Sequence, residues 1–216
     1  MSEPTNRGGN ARMKLTGWLL ILCLLPAMFA DGIQAATLES YAANIAQLIA
    51  PAKLATLGPR GANPRVQKIV YWLESARSDG QPPEKVTAEA VRISGMTNAA
   101  AIALTENAML RNLKIAGELG CLDKDGLAEM RRGKSPTVKR GPYAGDKASV
   151  DHIIPRDIAP ELDCVIANLE LLPLRLNESK NDKIGARQRS LAKEFFNAGL
   201  LKSETLAKIE NSTGEK

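Results

Sequence analysis

Cysteine, histidine and aromatic residues are all scarce in this chain of 216 residues. Its three cysteines form no Cys-x-x-Cys pair, which excludes a structural zinc ribbon. Aromatic residues make up only 4%, which argues against a base-stacking surface like that of single-strand-binding proteins. The contents of 44% hydrophobic and 25% charged residues are instead typical of a packed domain and argue against global disorder.

Positive charge is in moderate excess, with a formal net charge of +5 and an isoelectric point near 9.2. This excess suits nucleic acid or an anionic membrane surface as a partner, and it also occurs in proteins with no charged partner. Charge alone therefore does not select a function.

The first 36 residues have the pattern of an export signal. Arg12 and Lys14 precede an uncharged run from Trp18 to Ala30, which has the length of a signal-peptide core and is short for a membrane span. We therefore expect residues 1–36 to be a signal peptide and the mature chain to be periplasmic or secreted, with no stable membrane span. The alternative is an uncleaved amino-terminal anchor.

Two cysteines, Cys121 and Cys164, remain beyond this segment. In an oxidising compartment a single remaining pair suggests a disulfide. It would close a loop of roughly 43 residues and stabilise the fold by roughly 4 kcal/mol. The alternative is two separately buried thiols.

Residues 37–120 have helical periodicity. Apolar residues recur at helical spacing between Leu38 and Ile49 and again between Val66 and Leu73, and a longer run ends at Gly120. No catalytic cluster is visible in this region. Its apolar faces are expected to form core or to contact the second module, and the sequence identifies no protein partner for it.

Residues 121–147 are interpreted as a basic linker. Glycine and proline interrupt the segment between Leu122 and Tyr143, which predicts a flexible strap without a helix. Cations on a strap beside a candidate active site are suited to phosphate contacts, and the alternative is a solvated linker. The five cations are Arg131, Arg132, Lys134, Lys139 and Arg140.

The segment that follows carries the residues best suited to catalysis. A strand ending before Pro155, a second irregular strand from Leu169 to Leu174 and a helix over residues 177–197 are predicted. This order would bring the Asp151-His152 pair and the amino end of the helix into one corner.

An oxygen-ligated metal site and a proton acceptor are both available there. The Asp151 carboxylate and the Asn177 amide supply two oxygen ligands, which together with water and a substrate phosphate suit Mg²⁺, with Mn²⁺ as an alternative. His152 is the only histidine of the chain. It is then free to act as a general base, because imidazole ordinarily titrates near neutral pH.

The run Val150-Asp151-His152-Ile153-Ile154-Pro155, with Asn168-Leu169 and Asn177-x-x-Lys180-x-Asp182 downstream, resembles the HNH endonucleases of the His-Me finger (ββα-metal) superfamily. The resemblance covers about residues 148–190. Two features differ from many members: the zinc-binding Cys-x-x-Cys pairs are absent, and residues 156–160 replace a common Gly-Gly. Active members with each of these differences exist.

The resemblance implies a role for each motif residue. It implies that Asp151 binds the metal, that His152 is the general base and that Asn177 completes the metal site. Asn168 would brace the loop and help to orient His152 through backbone hydrogen bonds. Lys180 matches a recurrent lysine that is often near phosphate.

The sequence thus predicts an α+β protein: a helical region (37–120), the basic linker (121–147), a compact ββα-metal unit (148–200) and a carboxy-terminal helix and tail (201–216). The expected function is endonucleolytic hydrolysis of nucleic acid with Mg²⁺, without structural zinc and with low sequence preference. DNA is favoured over RNA by the family resemblance alone.

Two other functions stay open. One is a catalytically inactive secreted nucleic-acid-binding module, and the other is a helical interaction module that contacts an anionic envelope surface. Taken singly, the site residues also have ordinary roles: Asp151 as a turn acceptor, Asn177 as a helix N-cap, Asn168 as a loop residue and Lys180 as a solvated charge.

Overall fold

Helices surround a small antiparallel sheet, so the α+β prediction is confirmed. A computed structural model describes residues 37–180 and 184–212. The predicted signal peptide, residues 1–36, lies outside the described residues. Among the helices that are described, none is long and apolar enough to cross a membrane.

The elements follow one another as helices, two strands and helices again. In chain order they are α1 (Leu38–Ile49), α2 (Pro51–Leu54), α3 (Asn63–Ser78), α4 (Pro83–Ile93), α5 (Ala99–Glu118), α6 (Lys124–Arg131), β1 (Ala148–His152), β2 (Leu169–Pro173), α7 (Leu174–Lys180), α8 (Ala186–Asn197) and α9 (Ser203–Asn211).

The larger hydrophobic core lies between α1, α3, α4 and α5 and extends to the sheet. Ile45, Ile69, Leu73 and Met109 are almost completely buried in it. Burying each such side chain stabilises the fold by roughly 1.5–3 kcal/mol. A second, smaller core involves α8, α9 and the loop after β1, with Phe195 fully buried.

The sheet is an antiparallel pair in which Ala148 lies opposite Pro173 and His152 opposite Leu169. A long connection with two short 3₁₀ turns joins the strands, and α7 begins directly after β2. A two-stranded sheet is marginal by itself, because each strand leaves one row of backbone groups unpaired.

Helix α3 satisfies the outer edge of β1 with side-chain amides. Gln67 donates a hydrogen bond to the Ala148 carbonyl at 3.0 Å, and Asn63 makes a weaker contact of 3.5 Å with the Val150 carbonyl. Gln67 is buried, so its amide replaces a neighbouring strand in a place that water does not reach.

Helix α5 does the same for the outer edge of β2. The Asn112 amide oxygen accepts a hydrogen bond from the Leu171 N–H at 2.8 Å, and its amide nitrogen donates to the Leu169 carbonyl at 3.0 Å. Asn112 is 1% exposed. The helical region therefore braces the sheet from both sides.

The predicted flexible strap is instead packed and partly helical. Residues 124–131 form α6, and the Asp123 side chain caps it by accepting from the Gly126 N–H at 2.8 Å. Met130 and Val138 are completely buried. The prediction was wrong because the glycines and prolines at 133–142 follow the helix, and apolar side chains between the cations anchor the segment to the core.

The predicted single helix over residues 177–197 is also wrong. Its length is divided between α7 and α8, and Gly185 precedes α8 with its N–H donating to the Gln188 side chain. Because α7 starts at Leu174, Asn177 is inside that helix and not at its amino end.

The predicted disulfide is absent: Cys121 and Cys164 are both free thiols. The Cys121 thiol contacts the Thr137 carbonyl, whereas the Cys164 thiol contacts the Gly58 carbonyl. Each sulfur therefore has its own backbone partner. Burial, together with the nearby Asp123 carboxylate, raises the pKa of Cys121 to about 11.

Candidate active site

The alternation of side chains along β1 places polar groups against α7. Ser149 and Asp151 are half-buried and contact α7, whereas Ala148, Val150 and His152 are buried on the other face. Because α7 follows β2 without a loop, its inner face is held beside this row.

A cleft of about 260 Å³ opens where β1 ends. Four segments contribute to it: the end of β1, helix α7, the turn after Pro155 and the loop before α3. The residues that line it are Arg60, Asp151, His152, Pro155, Arg156, Asp157, Asn177, Glu178 and Lys180.

The surroundings of the His152 ring determine which of its nitrogens carries a proton. Nε2 lies 2.9 Å from the Asp163 carboxylate and 3.1 Å from the Asp163 carbonyl oxygen. Both of these groups accept hydrogen bonds, so Nε2 must donate. In the neutral ring Nδ1 is then the nitrogen with a free lone pair, and it is available to take a proton.

Asn168 holds the loop that follows His152. Its amide oxygen accepts from the Ile154 N–H at 2.8 Å, and its amide nitrogen donates to the Ile154 carbonyl at 3.0 Å. The Asn168 carbonyl also accepts from the Ile153 N–H at 2.8 Å. Asn168 is fully buried, and these three bonds fix the backbone immediately after the histidine.

Lys180 joins the end of α7 to the end of β1. Its ammonium group forms an ion pair with the Asp151 carboxylate through Oδ2. It also donates to the His152 carbonyl at 3.0 Å. Both charged side chains are largely shielded, with exposures of 21% for Lys180 and 14% for Asp151, so the pair is screened less than a surface pair.

Asp151 and Asn177 each present an oxygen suited to a cation. The Asn177 nitrogen donates to the Ser149 hydroxyl at 3.0 Å, which orients the amide. Within the described residues, no donor contacts Asn177 Oδ1, and Lys180 contacts only Oδ2 of Asp151. An amide oxygen and a carboxylate oxygen on one cleft fit a hard cation such as Mg²⁺ that keeps several waters.

The donor set is small. In the described part of the chain, no group of three or more His, Cys, Asp and Glu side chains could hold a metal ion. A cation held by Asp151 and Asn177 would therefore depend on water and a substrate oxygen for its remaining ligands, and we expect the affinity of the free protein for it to be weak.

Arg60 reaches this cleft from the helical region, although no sequence motif marks it as a site residue. It is the one non-glycine residue in the described ranges with a positive φ, +58°. Its backbone N–H donates to Asp163 Oδ2 at 3.0 Å. Strained backbone is retained where surrounding contacts fix it, which often occurs at functional sites.

The five cations of the basic segment do not line the cleft. Arg132 pairs with Glu129, and Lys139 lies 3.9 Å from Asp123. The structure thus brings Asp151, His152, Asn177 and Lys180 together with Asn168 beneath them, and it leaves the basic segment elsewhere on the surface. The cations that do line the cleft are Arg60, Arg156 and Lys180.

A buried carboxylate lies opposite Asp151 in the sheet. Glu170 is 5% exposed and receives two hydrogen bonds from Arg187 of α8, at 2.9 and 2.6 Å. The Nε atom of Arg111 in α5 lies 3.9 Å from Oε2 of the same carboxylate. Hydrogen bonding to Glu170 raises the pKa of Arg187, whereas burial lowers the pKa of Arg111. The cluster ties α5, β2 and α8 together.

Comparisons of the chain with protein-family models, with curated proteins and with solved structures find no match.

Proposed function

We propose that this chain is a metal-dependent endonuclease of the HNH type, which hydrolyses phosphodiester bonds of nucleic acid. The observation that carries the proposal is the cleft itself, in which two oxygen ligands, one oriented imidazole and three cations meet. The Asp151-His152 and Asn177-x-x-Lys180 segments are separated by 24 residues of sequence, yet they line the same cavity.

Each residue has a defined part in this proposal. A divalent cation on Asp151 and Asn177 would stabilise the charge that develops on the phosphate. His152 accepts the proton of the attacking water at Nδ1, while its Nε2–H stays bonded to Asp163. Asn168 keeps the backbone after the ring in place, and Lys180 orients the Asp151 carboxylate.

Arg60 and Arg156 are the residues that we assign to the phosphates flanking the bond to be cut. Both line the cleft, and guanidinium groups match phosphate geometry. Phosphates are the same in every sequence, so these contacts support weak sequence preference. DNA is the substrate to test first, on the ground of the family resemblance.

The test is plasmid cleavage by the purified chain in Mg²⁺, in Mn²⁺ and in excess EDTA. His152→Ala should lower the rate by roughly 10²–10⁴-fold, the usual contribution of a general base. Asp151→Ala and Asn177→Ala should raise the metal concentration required. Asn107→Ala, on an exposed position of α5, is the matched control and should cleave normally.

Equal cleavage by wild type and His152→Ala would reject this site and indicate a contaminant or another centre. No cleavage by either protein, together with retained DNA binding, would favour the inactive nucleic-acid-binding module. Neither cleavage nor binding would favour the helical interaction module.

We also propose that the chain is exported, and the pattern of residues 1–36 supports this. Expression in a bacterium with a periplasm, followed by fractionation and intact-mass measurement, tests it. A periplasmic product that begins near Thr37 is expected, whereas a product with residues 1–36 still attached would favour the amino-terminal anchor.

A further inference from the structure

We infer that Asp163 is a positioning residue for His152 and that the same carboxylate fixes the loop that carries Arg60; the inference rests on the proposed nuclease function. Asp163 lies in the connection between β1 and β2, eleven residues after the histidine. It is not one of the motif residues that suggested the nuclease function.

The Asp163 carboxylate divides its two oxygens between two parts of the site. Oδ1 lies 2.9 Å from His152 Nε2, and Oδ2 accepts from the Arg60 N–H at 3.0 Å. The side chain is 14% exposed, so both bonds are largely shielded from water. One group thus sets the orientation of the proposed base and the position of a cleft arginine.

The two acceptors at Nε2 are not equivalent. The Asp163 carbonyl, at 3.1 Å, would by itself satisfy a ring N–H. The carboxylate adds a charged acceptor to the same atom, which strengthens the preference for a proton on Nε2.

The contact with Arg60 ties the helical region to this arrangement. The loop before α3 is tight, because a Cβ on Gly61 would lie 2.8 Å from the Gly58 carbonyl oxygen. Arg60 has a left-handed backbone that most residues avoid. The hydrogen bond from its N–H to Asp163 offsets part of that cost and holds the arginine at the cleft.

The single histidine permits a direct test by NMR. A long-range ¹H–¹⁵N spectrum of the labelled chain, recorded without metal in alkaline buffer, contains the signals of one imidazole and reports its tautomer. We expect the wild type to carry its proton on Nε2. A wild-type ring with the proton on Nδ1 would overturn the inference without any variant.

Asp163→Asn tests the carboxylate itself. An asparagine cannot give an oxygen to both the ring N–H and the Arg60 N–H, so the ring signals should shift toward a mixture of tautomers. Asp157→Asn, an exposed carboxylate at the same cleft, should leave the tautomer unchanged. Equal spectra for wild type and Asp163→Asn would overturn the inference.

Cleavage kinetics separate positioning from a purely structural role. Asp163→Asn should lower kcat by about tenfold or more, because the proposed base is no longer held in one orientation. It should also raise KM, but by a smaller factor, because the loop that carries Arg60 loses an acceptor. Asp163→Glu, which retains the charge, should recover part of kcat. A loss confined to KM or to thermal stability would contradict positioning. A chain that cuts no DNA but shows the predicted tautomer shift would overturn the proposed function alone.

Discussion

The dependence of the sheet on side-chain amides leads to a quantitative prediction for Asn112→Ala. The substitution removes the acceptor of the Leu171 N–H and one donor to the Leu169 carbonyl. The carbonyl keeps a weak contact from Arg111 at 3.4 Å, but the N–H has no other partner among the described residues. A buried polar group without a partner costs roughly 1–3 kcal/mol.

The small cavity left by the amide adds to this cost. We therefore expect Asn112→Ala to lower the free energy of unfolding by about 2–4 kcal/mol. For a domain of this size, roughly 2–4 °C of Tm is lost per kcal/mol, so Tm should fall by about 4–16 °C. Asn112→Leu, which fills the cavity but leaves the N–H unpaired, should also destabilise the fold.

Urea unfolding followed by circular dichroism measures this change, with Asn107→Ala as the control. Asn107 is exposed on the same helix, and its replacement should alter stability by less than about 0.5 kcal/mol. If Asn112→Ala unfolds within about 1 kcal/mol of this control, the sheet edge does not depend on the amide and the reasoning is refuted.

Three further predictions concern the cleft and the thiols. Arg60→Asn tolerates the left-handed backbone but removes the charge. The negative slope of log binding constant against log salt should therefore decrease in magnitude by about one unit, as measured by fluorescence anisotropy on a DNA duplex; Arg60→Lys should keep the slope. Asn177→Asp adds a negative charge beside Asp151 and should lower the Mg²⁺ concentration needed for half-maximal cleavage; an unchanged requirement would argue against metal binding by residue 177. Since the pKa of Cys121 is raised to about 11, roughly one thiol in a thousand is ionised at pH 8, so iodoacetamide should spare it in the folded chain and modify it increasingly as the pH approaches 11. In denaturant without reductant both Cys121 and Cys164 should be alkylated, and peptide masses that show a Cys121–Cys164 link would contradict the free thiols.

Local sequence patterns predicted the residues at the centre of the cleft. Asp151 and His152 are adjacent, and Asn177 and Lys180 share a helix turn, so short-range structure is enough to bring each pair to one place. The α+β class followed from the order of apolar runs. The length of the helix after β2 was not predicted, because the apolar spacing of the sequence continues across Gly185, which is not helical.

Contacts between residues that are far apart in the sequence leave no local sequence pattern by which they could be predicted. Arg60 reaches Asp163 through its backbone N–H, and a backbone donor has no residue type that marks it. The compartment and the number of thiols suggested a disulfide, but a disulfide also requires the two Cβ atoms to approach closely. The fold gives Cys121 and Cys164 separate partners.

The amides that fill the sheet edges also limit how other chains can join the molecule. An open strand edge is a template for a strand from a second copy or from an extended peptide, and it is a common origin of aggregation. Here Gln67 contacts the outer edge of β1 and Asn112 that of β2, so both edges already have hydrogen-bond partners from within the chain. Strand addition would first have to displace a helix that is packed against the sheet. We therefore expect the protein to resist edge-to-edge association and to recruit its partners through side chains at the cleft.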